Sequence, residues 1–378
     1  MRIAMVLSTI AAITNPTNGA ERTAICLANA LSRRGHETYI TNLLNRTVDW
    51  DRDFDVLHII NAGGPKGPYL GAIQTARMLG IPVVTSTIYW PIDQQFEEQQ
   101  KFLQWDARKT AEYEGTIREW KKQTRLLFFE SDVLIPNGIG EQEKIIELME
   151  GDKALLTKYK NVPPFEVIPN AVDWEGEIAP ALSTPEPLPE ELEKKLADEF
   201  VLCVGRLEVR KNQIRLAAAM RMIWDTNPDV QLVIVGRATP EYMNAIGGSW
   251  SELPILLHDE TTSKRVLELM RRCTVYAQPS LLETPGLATM EAAALGRPIV
   301  VGVNGLEHEC FDKHAYYCEP LVSADIAASI EAALNEARSG ENTKKGNERA
   351  AHMHEHYTYE QTAGAVDSVY RSLQRGGE

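Results

Sequence analysis

A chain of 378 residues has room for two domains at about 100–200 residues each. With 44% hydrophobic and 24% charged residues it can bury both cores without a disulfide or metal staple. Its formal net charge of −14, nearly balanced up to residue 170 and acidic beyond it, excludes wholesale nucleic-acid binding, which needs a basic footprint.

In chain order, Ile3–Leu7 reads as a first strand rather than the start of a signal peptide, because a Gly-containing turn and an amphipathic helix follow at once. Gly19–Arg34 is that helix, with Ile25, Leu27, Ala28 and Leu31 at helical spacing. Thr38–Thr41, Val56–Ile60, Pro82–Ser86, Ser131–Ile135 and Phe165–Ile168 read as further strands. Asp93–Phe129 reads as one long helical stretch. Phe102, Trp105, Tyr113, Ile117 and Trp120 share a face, beside a basic face of Arg118, Lys121, Lys122 and Arg125. Two readings of it stand: core packing with a solvated side, or a docking surface for a membrane or a lipid-linked acceptor.

Four prolines between Ala179 and Pro189 mark residues 175–199 as a linker, with a short acidic helix at Glu190–Asp198. The βα alternation then restarts. Phe200–Gly205, Val230–Gly236, Ile255–His258, Val275–Pro279 and Pro298–Val303 are strands. Asn212–Trp224, Thr262–Arg272 and Gly286–Leu295 are helices, and the tail from Ala324 to Leu373 is helical. Such alternation predicts two parallel α/β domains. Their expected bounds are residues 1–174 and 200–355, with a helix over 356–378 packing back on the first domain. No apolar run reaches the ~18 residues of a membrane span. Cys26, Cys203, Cys273, Cys310 and Cys318, odd in number and without a CxxC pair, read as reduced thiols of a cytoplasmic protein.

Ligands of such sheets bind at the loops beyond the strands' C-terminal ends, and three such loops carry chemistry. In Val204–Asn212, Arg206 and Lys211 flank a strand-to-helix turn and suit a diphosphate, with Asn212 placed to cap the helix. In Pro279–Glu291, Gly286 and its neighbours offer backbone N–H groups to phosphate. Glu283 and Glu291 offer acceptors to hydroxyls. In Asn15–Arg22, Gly19 permits close backbone approach. Against each stands a plainer reading: solvated charges, a helix-favouring acid, an ordinary turn. His58 has two readings, structural or acceptor-side, the structural one preferred.

Together these residues resemble glycosyltransferase family 4, of the GT-B fold: two Rossmann-like α/β domains facing each other across a cleft. The resemblance lies in NGAERTAICLANALSRRGHE, VIPNAVD at Val167–Asp173, VGRLEVRKN, and PSLLETPGLATMEAAALGRPIV with its E-x7-E pair Glu283 and Glu291. It implies a retaining transferase that moves a hexose from a nucleotide-diphosphate sugar, UDP preferred, to a glycan, lipid-linked or small-molecule hydroxyl. It implies no bound metal and no cofactor beyond the donor, and a role in polysaccharide biosynthesis, in the cytoplasm or at the membrane's inner face. Arg206 and Lys211 would serve the diphosphate, with Asn212 also among the donor-binding residues, Glu283 the sugar hydroxyls and Glu291 the ribose. Backbone at Pro285, Gly286, Leu287 and Ala288 would hold phosphates and sugar, and Gly19 would approach from the first domain. Thr261, in the loop Asp259–Thr262, would border the base. The chain departs from the family where no histidine stands in Thr85–Pro91, with Tyr89 in that neighbourhood, and where Asp259 replaces a frequent glycine. A GT-B epimerase or sugar phosphorylase and a non-catalytic sugar-nucleotide binder are the rival readings. A dehydrogenase lacks its GxGxxG.

Overall fold

The computed structural model describes residues 1–7, 19–43, 48–60, 67–91, 93–238, 240–246, 250, 252–259 and 261–375. In chain order the strands are β1 (Arg2–Leu7), β2 (Glu37–Asn42), β3 (Val56–Ile59), β4 (Val83–Ser86), β5 (Val133–Ile135), β6 (Phe200–Val204), β7 (Gln231–Val235), β8 (Ile255–His258), β9 (Val275–Gln278), β10 (Ile299–Gly302) and β11 (Tyr316–Cys318). The helices are α1 (Gly19–Arg33), α2 (Gly67–Met78), α3 (Asp93–Leu103), α4 (Ala107–Phe129), α5 (Ile139–Glu150), α6 (Lys153–Tyr159), α7 (Ala179–Ser183), α8 (Glu190–Glu193), α9 (Gln213–Trp224), α10 (Pro240–Ile246), α11 (Ser263–Arg272), α12 (Leu287–Ala294), α13 (Glu307–Phe311), α14 (Ser323–Arg338), α15 (Asn342–His356) and α16 (Tyr359–Arg375).

The chain divides into two compact units: Met1–Pro91 with Asp106–Ala171 and Tyr359–Glu378, and Ile92–Trp105 with Val172–Thr358. The first holds a five-stranded parallel sheet in the order β2-β1-β3-β4-β5. Along β1, Ile3, Met5 and Leu7 join the core under α1 and α16, while Ala4 and Val6 join the opposite core with Tyr69, Ile73 and Phe128. A strand buried on both faces needs an unbroken apolar run, which is what β1 supplies. α16 returns to this unit. Arg33 meets Glu360, His36 Nε2 lies 3.0 Å from Asp367 Oδ1, and the Tyr370 hydroxyl is 2.6 Å from His58 Nδ1.

The second unit holds a six-stranded parallel sheet, β11-β10-β9-β6-β7-β8. Phe200 and Leu202 of β6 face one core, Val201 and Cys203 the other. β11 and, in the first unit, α2 and α5 were not expected from the sequence. The strand expected at Phe165–Ile168 is reduced to one bridge, Phe165 to Leu134. Among the described residues no helix is long and apolar enough to cross a membrane.

Two expectations about the chain's organisation need correction. Residues 175–199 are not a free linker. A π-helical turn at Trp174–Ile178 runs into α7, where Pro180 occupies the first turn and so forfeits no helix bond. Ile178 and Leu192 are buried in the second unit's core, with Ala181, Leu188 and Leu196 against it. Nor is Asp93–Phe129 one helix. Gln104 takes a left-handed conformation (φ 50°), and Asp106 caps a new helix by accepting from Lys109 N at 2.7 Å. α3 thereby joins the second unit and α4 the first, so the five aromatic and apolar residues share no common face. The basic face of α4 is partly neutralised. Arg118 pairs with Glu114, Lys122 with Glu119, and Arg125 donates to Leu148 O at 2.7 Å.

Candidate functional site

The second unit assembles its polar side chains where β6 and β9 end. After β6 the chain passes Gly205 and forms a 3-10 turn at Val209–Lys211 before α9. Gly205 has φ 146°, and a Cβ there would stand 3.4 Å from Lys211 Cε, so the bare glycine leaves the lysine stem its path. Lys211 Nζ lies 2.5 Å from Glu283 Oε1, and Arg210 Nη1 lies 3.2 Å from Glu283 Oε2. Ser280 donates to the same carboxylate at 2.7 Å. Burial alone would raise the Glu283 carboxyl, but Lys211 and Arg210 overcome it and hold it lowered to about 2. Arg210 is itself tied down by Glu208 at 2.8 Å and by the Leu282 carbonyl at 3.1 Å.

Lys211, expected from the sequence as a fixed cation suited to a diphosphate, is already engaged by Glu283. An ammonium has three donors, which leaves it able to serve a second acceptor. Arg206, by contrast, is exposed, and its carbonyl accepts from Gln213 Nε2 at 3.0 Å. Asn212 does not cap α9. It sits at the N-cap with φ 60° and no side-chain capping bond. Its amide instead donates to Pro279 O at 2.8 Å and Pro320 O at 2.6 Å, stitching the turn to the loops after β9 and β11. The left-handed backbone is the physical reason, because an N-cap that accepts from the helix takes an extended conformation.

Glu291 is buried within α12, and Gly286 stands at that helix's N-cap without a side-chain cap. Pro285 and Gly286 are buried, Leu287 and Ala288 half-buried. The first N–H groups of α12 thus lack a capping side chain, the arrangement suited to an anion. Thr261 is half-buried ahead of α11, whose cap is Thr262, accepting from Arg265 N at 3.4 Å. Gly19 opens α1 in the first unit and is exposed. The loop before it, with Asn15–Asn18, lies outside the described residues. The second unit therefore brings together Lys211, Glu283 and Asn212, with Arg206 on the same turn.

Sequence reasoning passed over two residues. Arg210 was visible as the middle of Val-Arg-Lys, yet nothing in the string distinguishes a cation facing Glu283 from a solvated one. Glu307 gave no signal. Leu306 N donates to Glu283 O at 3.1 Å, and at Gly305 (φ 103°) a Cβ would lie 1.9 Å from that oxygen and 2.8 Å from Glu307 Oε2. Glu307 is buried, and among the described residues its Oε2 has no hydrogen-bond partner. Burial, with Glu283 nearby, pushes its carboxyl well above the usual range.

In the first unit, neither acceptor-side candidate is open. Tyr89 is buried, stacked on Trp120 at 5.8 Å. His58 is fully enclosed, with Nδ1 on Tyr370 and Nε2 on Ser86 at 2.8 Å; burial lowers it to about 3, so it stays neutral.

Residues 186–351 match the family described as glycosyl transferases group 1. This group 1 segment carries the Lys211–Glu283 pair and Glu291. A UDP-Gal:alpha-D-GlcNAc-diphosphoundecaprenol alpha-1,3-galactosyltransferase of Escherichia coli is 32% identical over 188 residues, 46% of either chain. A D-inositol 3-phosphate glycosyltransferase of Segniliparus rotundus is 26% identical over 63% of this chain and 54% of its own. The chain thus spans about half the length of these relatives. Anabaena HepE, solved with UDP and glucose, superposes with a TM-score of 0.66 over 98% of this chain and 99% of its own, at 14% identity. The likeness shows the fold class: α/β, GT-B, with two Rossmann-like parallel-sheet units.

Proposed function

We propose that the protein is a glycosyltransferase of family 4. In this reading it moves a hexose, with retention, from a nucleotide-diphosphate sugar to a carbohydrate or lipid-linked hydroxyl. The observation that carries the reading is the pair of half-buried Lys211 and buried Glu283 in the loops beyond the C-terminal ends of β6 and β9, inside the group 1 segment. Departure of a nucleoside diphosphate leaves negative charge that fixed positive groups must stabilise. Lys211, Arg206 and the uncapped start of α12 supply them in a metal-independent mechanism. Glu283, held ionised, offers acceptors to sugar hydroxyls, and Glu291 serves the ribose. UDP is the preferred nucleotide, supported by the UDP-sugar relative and the UDP-bound neighbour. Gly19 approaches the donor from the first unit, and Thr261 borders the base. A cytoplasmic setting, where thiols stay reduced, belongs to the same reading.

The test is calorimetric titration with UDP and UDP-hexoses, followed by product analysis with and without a chelator. Lys211→Ala should lose roughly 1.5–3 kcal/mol of UDP affinity, the worth of a charge-assisted bond. Unchanged affinity removes the diphosphate role. Loss of turnover on chelation removes the metal-independent mechanism.

A further inference from the structure

α3 comes from the first half of the sequence yet packs within the second unit, ahead of the group 1 segment. Two side chains anchor it, and each starts a path to the turn that carries Arg206 and Lys211. Glu98, buried, accepts from Lys101 at 2.9 Å and from Arg215 Nη2 at 2.5 Å. Arg215 Nη1 in turn donates to Asn212 Oδ1 at 3.1 Å. That bond fixes which end of the amide is the oxygen, so Nδ2 faces the Pro279 and Pro320 carbonyls. On the second path the Phe102 ring lies 5.3 Å from Tyr242 of α10. The Tyr242 hydroxyl donates to Gln213 Oε1 at 3.4 Å, and Gln213 Nε2 donates to the Arg206 carbonyl at 3.0 Å. One path ends at residue 212, the other at residue 206.

We propose that α3 is a brace that sets the position of the 206–212 turn, with Glu98 and Phe102 as positioning residues. Its bearing on donor affinity rests on the diphosphate reading of that turn. The physical case is that the turn is positioned by side chains from other elements. Glu283 engages Lys211 and Arg210, and the Pro279 and Pro320 carbonyls accept from the Asn212 amide, while the Asn212 oxygen and the Arg206 carbonyl are held by Arg215 and Gln213, the two residues that α3 supports. A carboxylate buried as deeply as Glu98 persists only when paired, and here Lys101 and Arg215 pair it. Those two cations also lower the Glu98 carboxyl against its burial, so the bridge is charged at neutral pH. Holding charged groups in place before the ligand arrives lowers the cost of ordering them on binding.

Hydrogen exchange over residues 206–213 and UDP titration test the brace in the full chain, with Glu98→Ala, Arg215→Ala, the double variant, Glu98→Gln and Phe102→Leu. Loss of a charge-assisted bond predicts exchange faster by about tenfold and a UDP Kd raised about three- to tenfold in Glu98→Ala. The donor KM should rise with kcat nearly unchanged. Arg215→Ala should match it, and the double variant should add little, because both break one path. Glu98→Gln, which keeps an acceptor for Arg215, should recover most of the protection. Phe102→Leu should loosen the Arg206 end and reports on the brace even if Glu98→Ala fails to fold. Exchange equal to wild type in these variants, or additive effects in the double, overturns the brace. Lys211→Ala separates the two ideas. If UDP binding is unaffected by it, the diphosphate reading falls, while exchange in the Glu98, Arg215 and Phe102 variants still decides the brace.

Discussion

Glu283 and Glu307 are two buried carboxyls beside one pair of cations, and their environments push them in opposite directions. Glu283 keeps its charge because Lys211 and Arg210 touch it; Glu307 has an orphaned oxygen and loses its charge to burial. The consequence for stability has a definite sign. Above about pH 4.5 the Glu307 carboxyl ionises in the unfolded chain but stays protonated when folded, so folding loses stability as pH rises. Glu307→Gln removes that cost. Its Tm should exceed that of wild type at pH 7, with the gap closing towards pH 4. An equal gap at both pH values would show that packing, not the proton, governs the site. E-x7-E named Glu283 from the sequence alone. Its pairing with Lys211 was hidden, because residues 72 positions apart meet only once β6 and β9 are neighbours.

At the scale of the element, the loop between β10 and α13 shows how a backbone conformation serves a side chain's surroundings. Gly305 at φ 103° brings the chain against the Glu283 carbonyl, which accepts from Leu306 N. Gly305→Ala meets both a strained φ and backbone at 1.9 Å, so a loss of about 2–4 kcal/mol is expected in urea denaturation. Gly80→Ala is the comparator. Its φ of 70° is strained too, but nothing lies within 4 Å, and about 1 kcal/mol should be lost. Equal losses would mean that the close approach contributes nothing. The helices expected at Gly19, Asn212 and Thr262 were legible from periodicity and terminal residues. The break at Gln104 was not, since nothing in Leu-Gln-Trp marks a left-handed residue.

At the scale of the whole molecule, the chain's end returns to its beginning. Tyr370 on α16 reaches His58 across 312 positions, and the hydroxyl satisfies a buried ring nitrogen. Tyr370→Phe should cost about 1–3 kcal/mol, the penalty of one unpaired buried polar group. Thermal unfolding should show this loss in the first unit, with the UDP-induced shift of the second unit unchanged. A lost UDP shift would contradict the proposal that the second unit holds the nucleotide's diphosphate. Because His58 stays neutral down to about pH 3 while the unfolded imidazole charges below 6.5, acid should also erode this unit from pH 6.5 downward.

The sequence by itself determined the two parallel sheets, because strands buried on both faces must be apolar runs separated by amphipathic helices. It also singled out the loops after β6 and β9 as candidates for the proposed chemistry, because glycines, cations and carboxylates gather there. The tertiary structure alone decided that Lys211 is shared with Glu283, that Asn212 stitches loops instead of capping, that α3 serves the second unit, and that Ile178 and Leu192 anchor residues 175–199 in the second unit's core. These are contacts between residues far apart in sequence, and local pattern carries information only about neighbours along one strand or one helix face.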